Sequence, residues 1–151
     1  MITRRDIVVA AVAISVALCV VAVADQPTAV MSSAVFDWDS TPATPTSSGS
    51  VRQFFKAPTA TLDQLEVHVT TLSPGQAPHA PHRHPNEELL VVKEGTIEVL
   101  VDGAWKKAGP GSVALIASNQ LHGVRNSGAV PATYHVIGWY SPGMLPKQAT
   151  Q

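Results

Sequence analysis

From Val51 onward the chain consists of short runs of Val, Ile, Leu and aromatic residues broken by Pro, Gly, Asn or Asp, and this constrains its fold more than any other feature. Strands and turns fit such a pattern; helices do not. Leu65, Val67 and Val69 alternate with Glu66, His68 and Thr70, the period-two signature of a half-buried strand. The next strand is expected over residues 89–93, turning at Glu94-Gly95. Residues 96–101 then lead to Asp102-Gly103, a strong two-residue hairpin signal, before 104–107. Three more runs follow at 112–116, 122–125 and 132–140, and no window among them sustains a 3.6-residue apolar repeat. Many short strands at close spacing predict an all-β antiparallel barrel or sandwich. A chain of 151 residues without an internal repeat has room for one such domain.

The N-terminus has a different character. Met1 to Arg5 is short and positive, residues 7–23 carry no charge, and Ala22-Val23-Ala24 precedes Asp25. That is the order of a signal peptide: basic region, apolar region, small-residue cleavage site. The mature chain is expected to begin near Asp25 and to be exported to the periplasm or the extracellular space. An uncleaved anchor helix is the alternative, because the apolar run approaches the length that spans a bilayer. Thr3-Arg4-Arg5-Asp6-Ile7-Val8 also resembles the twin-arginine signal, whose substrates cross the membrane already folded. The single cysteine, Cys19, lies inside this leader, so the mature chain has no thiol and no disulfide.

Residues 40–50 are Pro-, Ser- and Thr-rich without apolar periodicity and read as a linker or extended arm. Phe36 and Trp38, just before them, are costly to leave in water and are expected on the barrel or on a partner subunit. Formal charge is -1, and the basic residues after Arg5 are scattered. Nucleic-acid binding requires clustered Lys and Arg to neutralise phosphates, so that class is set aside.

Chemistry concentrates in two places. His79, His82 and His84 share the segment from Gly75 to Pro85, and His122 follows Asn119-Gln120-Leu121. In an extended chain residues two apart share a face, so His82 and His84 present both imidazoles to one point, and Glu88 joins them if the chain stays extended past Pro85. Three neutral imidazoles and one carboxylate suit a first-row divalent metal. Read one at a time, each of these residues is as easily a solvated loop or turn residue; the argument rests on their joint spacing.

At these residues the sequence resembles the cupin superfamily, in its small single-domain form. The family's first motif, G-x5-H-x-H-x(3 or 4)-E-x6-G, is here Gly75-x6-His82-x-His84-x3-Glu88-x6-Gly95, one residue longer in the loop. The second, G-x5-P-x-G-x2-H-x3-N, is Gly111-x5-Ala117-x-Asn119-x2-His122-x3-Asn126 with every spacing kept. Ala117 stands for the family's Pro and Asn119 for its Gly, and Asn tolerates the left-handed conformation that a Gly there would supply. The resemblance implies a double-stranded β-helix, or jelly-roll barrel, over residues 51–145. The signal peptide (1–24) and the arm and linker (25–50) precede it, and a tail (146–151) follows. It implies one divalent transition ion (Mn, Fe, Ni, Cu, Zn or Co) on His82, His84, Glu88 and His122.

Cupins host many reactions, so the resemblance names none. The expectation is a metal-dependent enzyme of dioxygenase, decarboxylase or isomerase type acting on a small oxygen-rich molecule. A non-catalytic small-molecule-binding module and a purely structural metal barrel are the alternatives. A two-fold homodimer is expected, with residues 31–39 contributing to the interface or, alternatively, folding back on their own barrel, and with no nucleic acid and no membrane as partner once the leader is removed. His79 lies outside the motif and reads as a loop residue near the mouth. Arg125, three residues past His122, points away from it by parity. Glu87 reads as a surface group and Asn126 as a turn-fixing one. His68 and His135 either line the barrel or act as hydrogen-bonded structural residues, the latter being the expected role.

Overall fold

The structure is a computed structural model that describes residues 29–145. The expected leader, its cleavage site and Cys19 lie outside the described residues, as does the tail from 146. Among the described residues there are strands and no helix: β1 (Thr44–Thr46), β2 (Gly49–Ala57), β3 (Gln64–Leu72), β4 (Glu87–Glu94), β5 (Ile97–Val101), β6 (Ala104–Ala108), β7 (Val113–Ile116), β8 (Gly123–Asn126) and β9 (Ala132–Tyr140). They form two antiparallel sheets, one ordered β1-β2-β3-β9-β4-β7 and one ordered β6-β5-β8. Leu72, Leu90, Val92, Ala132, Tyr134 and Val136 of the first sheet meet Ile97, Val99 and Val124 of the second in a common core. This is the all-β jelly roll expected from the strand pattern and the motifs.

Local chemistry explains the turns. Asp102 and Gly103 both take positive φ (51° and 77°), the requirement of the tight hairpin that pairs Val101 with Ala104. Gly95 has φ 73°, and a Cβ there would lie 2.5 Å from the Pro131 carbonyl oxygen. No other residue fits that turn without moving the neighbouring chain.

One expectation changes. Part of residues 40–50, expected as linker or extended arm, is instead a hairpin: Thr44 to Thr46 pair with Gly49 to Val51, and β2 continues along β3. Backbone pairing needs no apolar side chains, and Pro45 is tolerated because β1 is an edge strand. Residues 31–39 lie on their own chain. Met31 N–H donates to the Pro58 carbonyl at 2.9 Å, Phe36 packs on Phe55 with ring centres 4.8 Å apart, and the Trp38 ring is met by Arg52 at 4.4 Å and Lys93 at 3.9 Å.

The alternation in β3 has an unexpected sense. Val67 pairs with Phe55 and so shares its side of the sheet, on which Phe36 packs, whereas His68 and Thr70 face a cavity between the two sheets. The polar set of this strand is turned inward.

Candidate metal centre

The residues of the two motifs are laced together by main-chain bonds. His82 and His122 form an isolated antiparallel bridge, the N–H of each donating to the carbonyl of the other at 2.9 and 3.1 Å. Asn119 N–H donates to the His84 carbonyl at 2.8 Å, and the Ser118 hydroxyl donates to the Pro85 carbonyl at 2.7 Å. The Arg83 guanidinium donates to the Asn119 carbonyl at 2.6 Å. Asn119 sits at φ 58°, the left-handed conformation for which Asn substitutes for Gly.

This frame gathers three imidazoles. One nitrogen from each of His82, His84 and His122 lies within 4.8 Å of the others. Glu88 comes from β4, where its Oε1 stands 3.3 Å from His84 Nε2. The chain bends at Pro85 and Asn86 rather than staying extended, so the bend and not strand parity brings Glu88 to His84.

The ring tautomers bear on what the cluster can hold. His84 Nδ1 lies 2.9 Å from the Asn86 carbonyl, and His122 Nδ1 lies 2.9 Å from the Gln120 carbonyl. A carbonyl only accepts, so each Nδ1 carries the proton and each Nε2 keeps its lone pair. Both of these Nε2 atoms, and Nδ1 of His82, are buried without a hydrogen bond; the Glu88 contact falls outside hydrogen-bond geometry. Orphaned buried nitrogens are costly when nothing meets them, and three converging lone pairs fit a divalent ion. Burial, reinforced by His79, His122 and His84, lowers the His82 pKa to about 4, which keeps that ring neutral and available as a donor.

The cluster opens onto a cavity of about 220 Å³ shared by His82, His122 and Glu88. His68, Thr70 and Tyr134 give it polar walls; Leu90, Val124 and Val136 give it apolar ones. His79 also borders it, its ring edge-on to His82 at 4.3 Å, but stands outside the three-imidazole cluster. Arg125 is turned away, its Nε donating to Glu98 at 2.7 Å and its guanidinium lying 4.1 Å from the Trp105 ring. Buried Asn126 holds a turn, donating to the Leu72 and Val130 carbonyls at 3.0 and 2.8 Å. His135 and Glu87 do not border the cavity.

His68 departs from its expected structural role. It borders the cavity, and its Nδ1 is buried without a hydrogen bond, 3.3 Å from Glu66 Oε1. The sequence carried only part of the signal, Glu66 and His68 two apart on one strand face; that this face turns inward depends on the pairing of β3.

Residues 68–138 match the family described as the cupin domain. The fold is similar to that of KdgF from a Halomonas species, at 16% identity and a TM-score of 0.58, covering 70% of this chain and 94% of that one. It is also similar to the polyketide cyclase RemF from Streptomyces resistomycificus, at 20% identity and a TM-score of 0.59, covering 74% and 82%. A sugar phosphate isomerase of the cupin superfamily from Silicibacter pomeroyi gives 21% identity and a TM-score of 0.57, covering 72% and 77%. No curated protein matches the sequence. The matched domain and these folds support the cupin superfamily, and the three imidazoles within that fold suggest a metal site.

Proposed function

We propose that this chain is an exported metal-dependent cupin enzyme that holds one divalent transition ion on His82, His84, Glu88 and His122 and acts on a small oxygen-rich molecule. The observation that carries the reading is the convergence of three buried imidazole nitrogens on a cavity with both polar and apolar walls. Such an ion supplies Lewis-acid polarisation of a bound oxygen. The chain's own residues do the rest. Main-chain carbonyls fix the tautomers of His84 and His122, and the bridge between His82 and His122 fixes their spacing. Leu90, Val124 and Val136 give the cavity an apolar wall, which disfavours bulk water against it. The volume, about 220 Å³, is below the usual range for drug-sized ligands and suits a small metabolite.

The test is metal content by elemental analysis of protein from its native compartment. His84→Ala is expected to reduce the bound ion to well under half of the parent's level, while His79→Ala leaves it unchanged. Equal occupancy in His84→Ala and parent sinks the assignment.

A further inference from the structure

On the large sheet, one cross-strand row runs from Lys56 through Glu66 and Gly138 to Glu88. Glu66 uses its two oxygens differently: Oε2 lies 2.9 Å from Lys56 Nζ, and Oε1 lies 3.3 Å from His68 Nδ1. Lys56 neutralises the carboxylate, and its side chain is 55% exposed, so this pair sits at the rim while His68 borders the cavity. Gly138 adds no side chain between the two carboxylates, and its neighbour in β9 on the His68 row, Val136, is apolar.

The negative Glu66 oxygen, 3.3 Å from Nδ1 though not in hydrogen-bond geometry, favours by charge alone the tautomer with the proton on Nδ1 of His68. Nε2 is then an acceptor. Burial lowers the His68 pKa; the charges of Glu66 and Glu88 oppose that shift, and Lys56 adds to it. The neutral ring is therefore the form that meets a ligand near neutral pH. An acceptor recognises O–H and repels a carbonyl oxygen. On the same cavity, His82, His122 and Glu88 with the proposed divalent ion would leave a net positive centre that suits a carboxylate.

We propose that His68, set by Glu66, is the second recognition point of this cavity, and that the ligand class is a small hydroxy acid whose hydroxyl donates to His68 Nε2 while its carboxylate faces the imidazole cluster. This rests on the metal-centre reading above. A site built to pair with a hydroxyl rejects the analogue that lacks one, because an acceptor shut off from water by the bound ligand is then left without a partner.

Calorimetry on the Co(II)-loaded protein with lactate, pyruvate and propionate tests it. Lactate is expected to bind at least ten times more tightly than either of the others. His68→Leu is expected to abolish that preference while keeping the parent's metal content. Glu66→Gln, which loosens the tautomer, is expected to reduce the preference. Imidazole ¹⁵N spectra of the parent supply an independent readout, with His68 expected to be protonated at Nδ1. Absence of a lactate preference in the loaded parent, its survival in His68→Leu, or a proton on Nε2 overturns the inference. A parent that takes up no Co(II) brings down the metal-centre reading itself, and this inference with it.

Discussion

At this cluster the proposed metal would compete with protons for the same nitrogens. Burial, with His79, His122 and His84 beside it, pushes the His82 pKa down to about 4 from the ordinary 6.5 of an unfolded chain. Between those values the unfolded chain takes up a proton that the folded one refuses, so this group's contribution to stability is complete above pH 6.5 and is lost as pH falls towards 4. Thermal melts of the metal-free protein are expected to decline over that window, and His82→Gln to flatten the decline; a slope unchanged in the variant contradicts it. The ligand residues were legible in the sequence because their spacing is local and repeats a known pattern. His68 was not. Which way its ring faces depends on how β3 pairs with β2 and β9, and β9 lies far along the chain.

Strand by strand, the positions of β3 to β9 were readable from the breakers between them, since Asp102-Gly103, Glu94-Gly95 and their like admit few backbone alternatives. The hairpin of β1 and β2 was hidden because Thr44-Pro45-Thr46 has no apolar face and pairs through its backbone alone. The turn after β4 offers the sharpest test. Gly95→Ala forces a side chain against the Pro131 carbonyl and a left-handed backbone on an L residue, and is expected to cost about 2 kcal/mol or more in urea denaturation. Asn119→Gly, at the other left-handed turn, is expected to change stability by less than about 0.5 kcal/mol, since Gly takes that conformation freely. A smaller loss in Gly95→Ala than in Asn119→Gly contradicts the assignment of strain.

For the molecule as a whole, the N-terminal sequence predicts export and the exposed sheet edge predicts assembly. Mass spectrometry of the native protein is expected to find an N-terminus near Asp25, and recovery of intact Met1 chains from membranes favours an anchor. We propose a two-fold homodimer: β7 ends the large sheet and exposes Val113 and Leu115, at 60% and 58%, an edge that a second subunit would cover. Since residues 31–39 lie against their own sheet, a chain truncated to Ser50 is expected to remain dimeric; light scattering that finds the full mature chain monomeric at micromolar concentration ends the dimer claim. The bridge between His82 and His122 closes a loop of the chain. A disulfide or a structural zinc steadies a small fold by tying distant points of the chain together. Here two main-chain hydrogen bonds tie that loop without using any side chain, so loss of the imidazoles is expected to leave the tie in place. The proposed ion is then expected to leave and return without unfolding the chain, which circular dichroism through a cycle of chelation and reloading checks.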